Sequence, residues 1–150
     1  MTARLDAPFR PRRARIAGYA VAVLVVVTML VVSIALGTSP DSGWTVVDTL
    51  SALVFAALVA GGLVRLVGVR ALPTDDALVV RNVLYTTRVD WGAVIAVRFG
   101  GADPWLTLDL DDGQNLAVMA VQRADGAHAQ AEAERLARLV RSRAPQPPPG

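Results

Sequence analysis

The chain lacks cysteine and lysine altogether and has one histidine, His128, in 150 residues. Without cysteine there is no disulfide, no thiolate nucleophile and no Cys-ligated zinc. One imidazole leaves little room for a His-based metal centre or a catalytic triad. Phosphate-cradling Gly-rich loops and paired intramembrane charges are missing too. All 15 basic residues are Arg, a mark of GC-rich bacterial coding that carries no mechanism. What the chain has in excess is apolar residues, 53% of the total, many of them in two blocks.

The first block, "IAGYAVAVLVVVTMLVVSIAL" at 16–36, has no charge over 21 residues. At about 1.5 Å per residue it matches the roughly 30 Å hydrocarbon core of a bilayer, so it reads as a membrane span. A secretory signal peptide is the rival, given the basic start and the Ser33/Ala35 pair. Signal h-regions, however, run only about 7 to 15 residues. The second block, 46–64, holds one charge, Asp48, near its outer end. A helix N-terminus favours an anion there, whereas a proton relay would need a partner that neither block supplies.

Arg4, Arg10, Arg12, Arg13 and Arg15 precede the first block; Arg65, Arg70 and Arg81 follow the second; the connecting 37–45 has none. The positive-inside rule therefore predicts a multi-pass protein of the bacterial plasma membrane with both termini cytoplasmic and an outer loop at 37–45. Residues 1–15 form a basic cytoplasmic arm suited to anionic lipid. Arg10, Arg12, Arg13, Arg15, Tyr19, Trp44 and Arg65 are the candidate membrane-interface residues. Ala52, Ala56 and Ala60, with Ala57 and Gly61, repeat at small-xxx-small spacing, which serves hairpin packing or a homo-oligomer seam.

From 66 to 143 the pattern changes to that of a small β-rich domain. Period-two alternation pairs Leu78 with Val80, Tyr85 and Thr87 with Val89 and Trp91, and Ile95 with Val97 and Phe99. It places Leu106, Leu108 and Leu110 inward, Trp105, Thr107 and Asp109 outward, and Leu116, Val118 and Ala120 together. Between the last two strands lies the densest acidic cluster, Asp109, Asp111 and Asp112 before Gly113. An EF-hand starting at Asp109 would need an oxygen ligand where Gly113 stands and Glu where Ala120 stands, so it fails. Asp-Asp-Gly between alternating strands reads as a hairpin turn. A helix comes next, with Asp125 as N-cap, an apolar stripe of Ala129, Ala133, Leu136, Leu139 and Val140, and a Glu134–Arg138 pair. His128 falls in its first turn as an ordinary exposed residue. Residues 144–150 form a Pro-rich tail expected to be disordered.

The blocks "DDALVVRN" (75–82), "RVDWGAVIAVRF" (88–99), "PWLTLDLDDG" (104–113) and "LAVMAVQRADG" (116–126) resemble those of the actinobacterial PH-like (pleckstrin-homology-like) membrane proteins, the low-molecular-weight protein antigen family. The resemblance covers most of 64–141 and departs from the family pattern at Asp90 and at Gly92-Ala93. It implies a bent antiparallel sheet or partial barrel plugged by the C-terminal helix, behind a two-helix transmembrane hairpin. It implies no reaction and no cofactor.

Residues 66–150 carry nine Arg against ten Asp and Glu, a net of −1, so the count gives the domain no basic field for nucleic acid or lipid headgroups. The expected function is a non-catalytic membrane-tethered module that contacts membrane lipids and an unidentified protein partner, without cofactor, metal or nucleic acid. An accessory subunit of a membrane enzyme or transporter is the alternative. Trp105, outward on its strand, is the candidate partner contact; a Trp covering the rim of its own sheet is the bland alternative.

Overall fold

A computed structural model of the chain describes residues 6–144. The first five residues and the tail 145–150 lie outside the described part. Two units result, one from 14–67 and one that joins the N-terminal 13 residues to 68 onward.

The first unit is a helical hairpin, α1 (Arg13–Gly37) and α2 (Val46–Val67), both long and apolar enough to cross a membrane. Ala22 and Ala56 are buried between the helices, and a Cβ on Gly18 would overlap the side chain of Val67. Glycine there permits close approach. Ala52, Ala56 and Ala60 lie on the sheltered side of α2, whereas Ala57 and Gly61 are exposed. Asp48 is part of a reciprocal cap: its carboxylate accepts from the N–H and hydroxyl of Thr45 (2.8 and 2.6 Å), and the Thr45 hydroxyl accepts from Asp48 N–H. This capping box satisfies donors that begin the helix and gives Asp48 a local structural role.

The second unit is a pair of three-stranded antiparallel sheets and one helix. β1 (Arg70–Pro73), β2 (Ala77–Arg81) and β3 (Thr86–Asp90) form one sheet; β4 (Val94–Arg98), β5 (Trp105–Leu110) and β6 (Asn115–Gln122) form the other; α3 (Ala127–Arg143) closes the core. Leu78, Val80, Leu106, Leu108, Leu116, Val118 and the entire predicted stripe of α3 are buried together. A 3-10 turn, Trp91–Ala93, links the sheets and seats Trp91 at 2% exposure. The Trp91 indole N–H donates to the Thr74 carbonyl (2.9 Å).

Three expectations of the pattern are corrected. Ile95 is 68% exposed rather than packed with Val97 and Phe99. A β-bulge shifts the register between Val94 and Ala96, which leaves Ile95 as the extra residue and turns Val94 inward instead. The N-cap of α3 is Gly126, at φ 58°, and Asp125 sits in the preceding 3-10 turn. On α3 the ion pair is Glu132–Arg135 (2.6 Å), and none joins Glu134 to Arg138 among the described residues.

The basic arm is also different from a free segment. Phe9 is fully buried in the core of the second unit and exchanges two backbone hydrogen bonds with Ala71 (2.8 and 3.1 Å). Arg135 stacks over its ring, 3.7 Å from the centroid, and donates to the Ala7 carbonyl (2.8 Å). Arg143 bonds Asp6 (2.5 Å) and lies over Trp91. The arm is a strap held by α3 on one side and β1 on the other.

Candidate functional site

The start of β5, the end of β6 and the loop that leads into β5 form a shallow cleft of about 340 Å³ lined by Ala102, Pro104, Trp105, Gln122, Arg123 and Ala124. Its shape comes from strand register. Trp105 pairs with Gln122 while its neighbour Leu106 pairs with Val118, so β6 carries extra residues at this point and bends. The bend lets the consecutive Ala120 and Val121 both face the core. The loop 99–104 is pinned from β6's end: Arg123 N–H donates to the Pro104 carbonyl (2.9 Å), and the Arg123 guanidinium bonds the Gly101 carbonyl. Gly100 and Gly101 supply the positive φ values, 132° and 68°, that this loop requires. Trp105 is half-buried, with its edge on the cleft.

The acidic cluster is a hairpin turn. Gly113 (φ 80°) donates to the Leu110 carbonyl, Gln114 N–H to the Asp112 carboxylate (2.9 Å), and Asp111 N–H to the Ala93 carbonyl. Asp109 holds Arg98 (2.7 Å). Its charge is therefore already partnered across the sheet.

The residues expected at a membrane interface fall in two places. Arg10, Arg12 and Arg13 are exposed on the strap, and Arg15 comes after them in α1. Tyr19 and Arg65 are exposed on the helical hairpin, where Trp44 is half-buried and donates its indole N–H to Thr49 (2.8 Å).

Three further residues organise the domain without any short-range signal in the sequence. Asn82, 3% exposed, donates to the Ala117 carbonyl (2.8 Å) and accepts from Met119 N–H (3.2 Å), so one amide ties the β2–β3 connection to β6 of the other sheet. Asp125 accepts from the backbone N–H groups of Arg12 and Arg13. Phe9 stands in a Pro- and Arg-rich context with no periodicity to mark it as a core residue.

No solved structure matches the chain. The uncharacterized protein Mb1452 of Mycobacterium bovis is 31% identical over 123 residues, 80% of this chain and 79% of that protein. The uncharacterized protein Rv1417 of Mycobacterium tuberculosis is similar to the same extent, 31% over 123 residues, 80% and 79%. Residues 69–139, from the start of β1 into the last turns of α3, match the bacterial PH domain. With its two sheets, its closing helix and these mycobacterial relatives, the chain belongs to the bacterial PH-domain family.

Proposed function

We propose that this is a non-catalytic, membrane-anchored PH-domain protein that presents a protein-interaction surface at the cytoplasmic face of the bacterial plasma membrane. The observation that carries the interaction role is Trp105 at the edge of a cleft whose loop is already braced by Arg123. A rigid aromatic in a preformed concavity makes contact at small entropic cost.

Anchoring is supported by the hairpin. Helices of 25 and 22 residues are about 37 and 33 Å long against a hydrocarbon core of roughly 30 Å. Ile16, Leu24, Ile34, Val46 and Leu58 are exposed along them, an apolar surface that suits lipid better than water. Because residues 6–13 share a core with 68–143, both segments must lie on one side of any membrane that α1 and α2 cross. Two crossings meet that condition, and the Arg distribution supports the cytoplasm as that side.

Crosslinking in native membranes with wild type and Trp105→Ala tests the surface. The variant is expected to keep its melting temperature and lose a crosslinked protein. An unchanged partner set removes Trp105 from the role. A reporter active only outside the membrane, fused at Gly150, is expected to stay silent; activity there refutes the orientation.

A further inference from the structure

The Trp105 cleft is selective in what it offers a ligand. Ala102, Pro104, Trp105 and Ala124 give it apolar surface. Its polar groups are unevenly used. The Trp105 indole N–H has no hydrogen bond among the described residues and stays accessible to solvent. The Pro104 and Gly101 carbonyls, by contrast, already accept from Arg123, and the Gln122 side-chain amide donates to the Met119 carbonyl (3.1 Å). A free indole donor beside engaged carbonyls fits a ligand that is apolar, rich in unbonded carbonyls and poor in N–H groups. Proline has that chemistry. It lacks a backbone N–H and its ring fixes φ, and a run of prolines takes the polyproline II form, which docks on aromatic surfaces with little entropy left to lose.

The chain carries such a run itself, Pro145-Gln146-Pro147-Pro148-Pro149. Its place in the sequence decides whose cleft it can fill. The cleft is at the N-terminal end of α3, where Arg123 and Ala124 come four and three residues before Ala127, while the run follows the C-terminal end at Arg143. Those ends are about 24 Å apart at 1.5 Å per residue. The strands also place them at opposite ends: Arg143 lies over Trp91, three residues before Val94, which pairs with Leu110, whereas Trp105 begins β5. Pro148, in the middle of the three consecutive prolines, is five residues beyond Arg143 and reaches about 16 Å at 3.1 Å per residue. The run is too short to fold back along α3 and lie across the cleft of its own chain. We infer that the Trp105 cleft binds Pro147–Pro149 of a second copy of this chain, with a proline carbonyl accepting from the indole N–H. This occupant rests on the reading of the cleft as an interaction surface, and two chains that exchange their runs close into a symmetric pair.

The probe is a fluorescein-labelled peptide of residues 142–150, titrated by fluorescence anisotropy into full-length protein in detergent that carries Pro147→Ser, Pro148→Ser and Pro149→Ser, so that its clefts are open. Saturable binding is expected. Adding Trp105→Ala should weaken it about 30-fold or more, the weight of an interface hot spot, and a peptide with the same three Pro→Ser changes should bind as poorly. Equal binding of the two peptides, or no loss with Trp105→Ala, overturns the inference. Should Trp105→Ala melt lower than its parent, the Ser peptide decides, since it leaves the folded chain untouched. Light and isotopically heavy full-length chains with a photoreactive residue in place of Gln146 are then mixed and crosslinked. Light–heavy products at residues 102–105 or 122–124 are expected, and products confined to single chains overturn the second copy. If the peptide does not bind but Trp105→Ala loses a crosslinked protein in membranes, the surface stands and its occupant falls; no peptide binding with an unchanged partner set sinks both.

Discussion

The carboxylate of Asp125 accepts hydrogen bonds from the backbone N–H groups of Arg12 and Arg13, both at 2.8 Å, across 113 and 112 residues of sequence. Asp125 is 8% exposed, so both bonds are charge-assisted and largely shielded from water. Asp125→Ala should therefore cost about 3 kcal/mol, because two donors lose their acceptor together. Asp125→Asn, with one acceptor oxygen left, should cost about half as much. Chemical denaturation of the full chain with a fluorescence readout checks the order; equal stability of all three proteins would show that the contact contributes nothing.

Phe9→Ala should destabilise the domain by about 3 to 5 kcal/mol, the range for emptying a buried aromatic site. Phe9→Leu retains most of the volume and loses the Arg135 stacking, for which about 1 kcal/mol is the expected share. A fragment of 66–143 that lacks the strap should melt lower than one in which residues 6–13 are fused back through a flexible linker. Identical melting of the two fragments contradicts the strap.

Trp91→Ala should also cost about 3 to 5 kcal/mol. Trp91→Phe is the informative partner substitution. It deletes the bond to the Thr74 carbonyl, but that carbonyl still accepts from Arg143, so no acceptor is orphaned and the loss should stay near 1 kcal/mol plus the smaller ring's void. Thermal melting of both variants separates packing from hydrogen bonding.

At the β5–β6 turn the positive φ belongs to Gly113, while Asp111 and Asp112 keep negative φ. Gly113→Ala should cost about 1 kcal/mol or more. Changing Asp111 and Asp112 to Asn and Gly should bring no gain, because Gly would land where its freedom is not used. Calcium or magnesium should leave the melting temperature unchanged; a rise of several degrees would mean that the cluster binds a cation.

The strands were legible wherever alternation was unbroken. Leu106 and Leu108, or Leu116 and Val118, declare their face because each neighbours a residue of opposite character. Ile95 was not legible, since a bulge inserts one residue without any local marker and inverts the face of the residues beyond it. The hairpin turn was recognised from Asp and Gly, yet which residue takes the positive φ depends on loop length. Asp125 read as a cap because that is its commonest local use. Its actual partners are on the far side of both long helices in sequence, and no window contains them. The candidate site was legible only as Trp105 on an outward face; the cleft arises from the slip between β5 and β6.

The strap also sets an order of events in synthesis. Residues 6–13 leave the ribosome before their partners Ala71, Arg135 and Asp125, Asp125 being 113 residues beyond Arg12. At about 5 to 20 residues per second that interval is roughly 6 to 23 s. Throughout it Phe9 has no core to enter, and an apolar ring amid arginines is open to whatever first meets the nascent chain. Residues 6–13 are thus made before every partner that holds them, and the PH domain closes only after α3 has been translated.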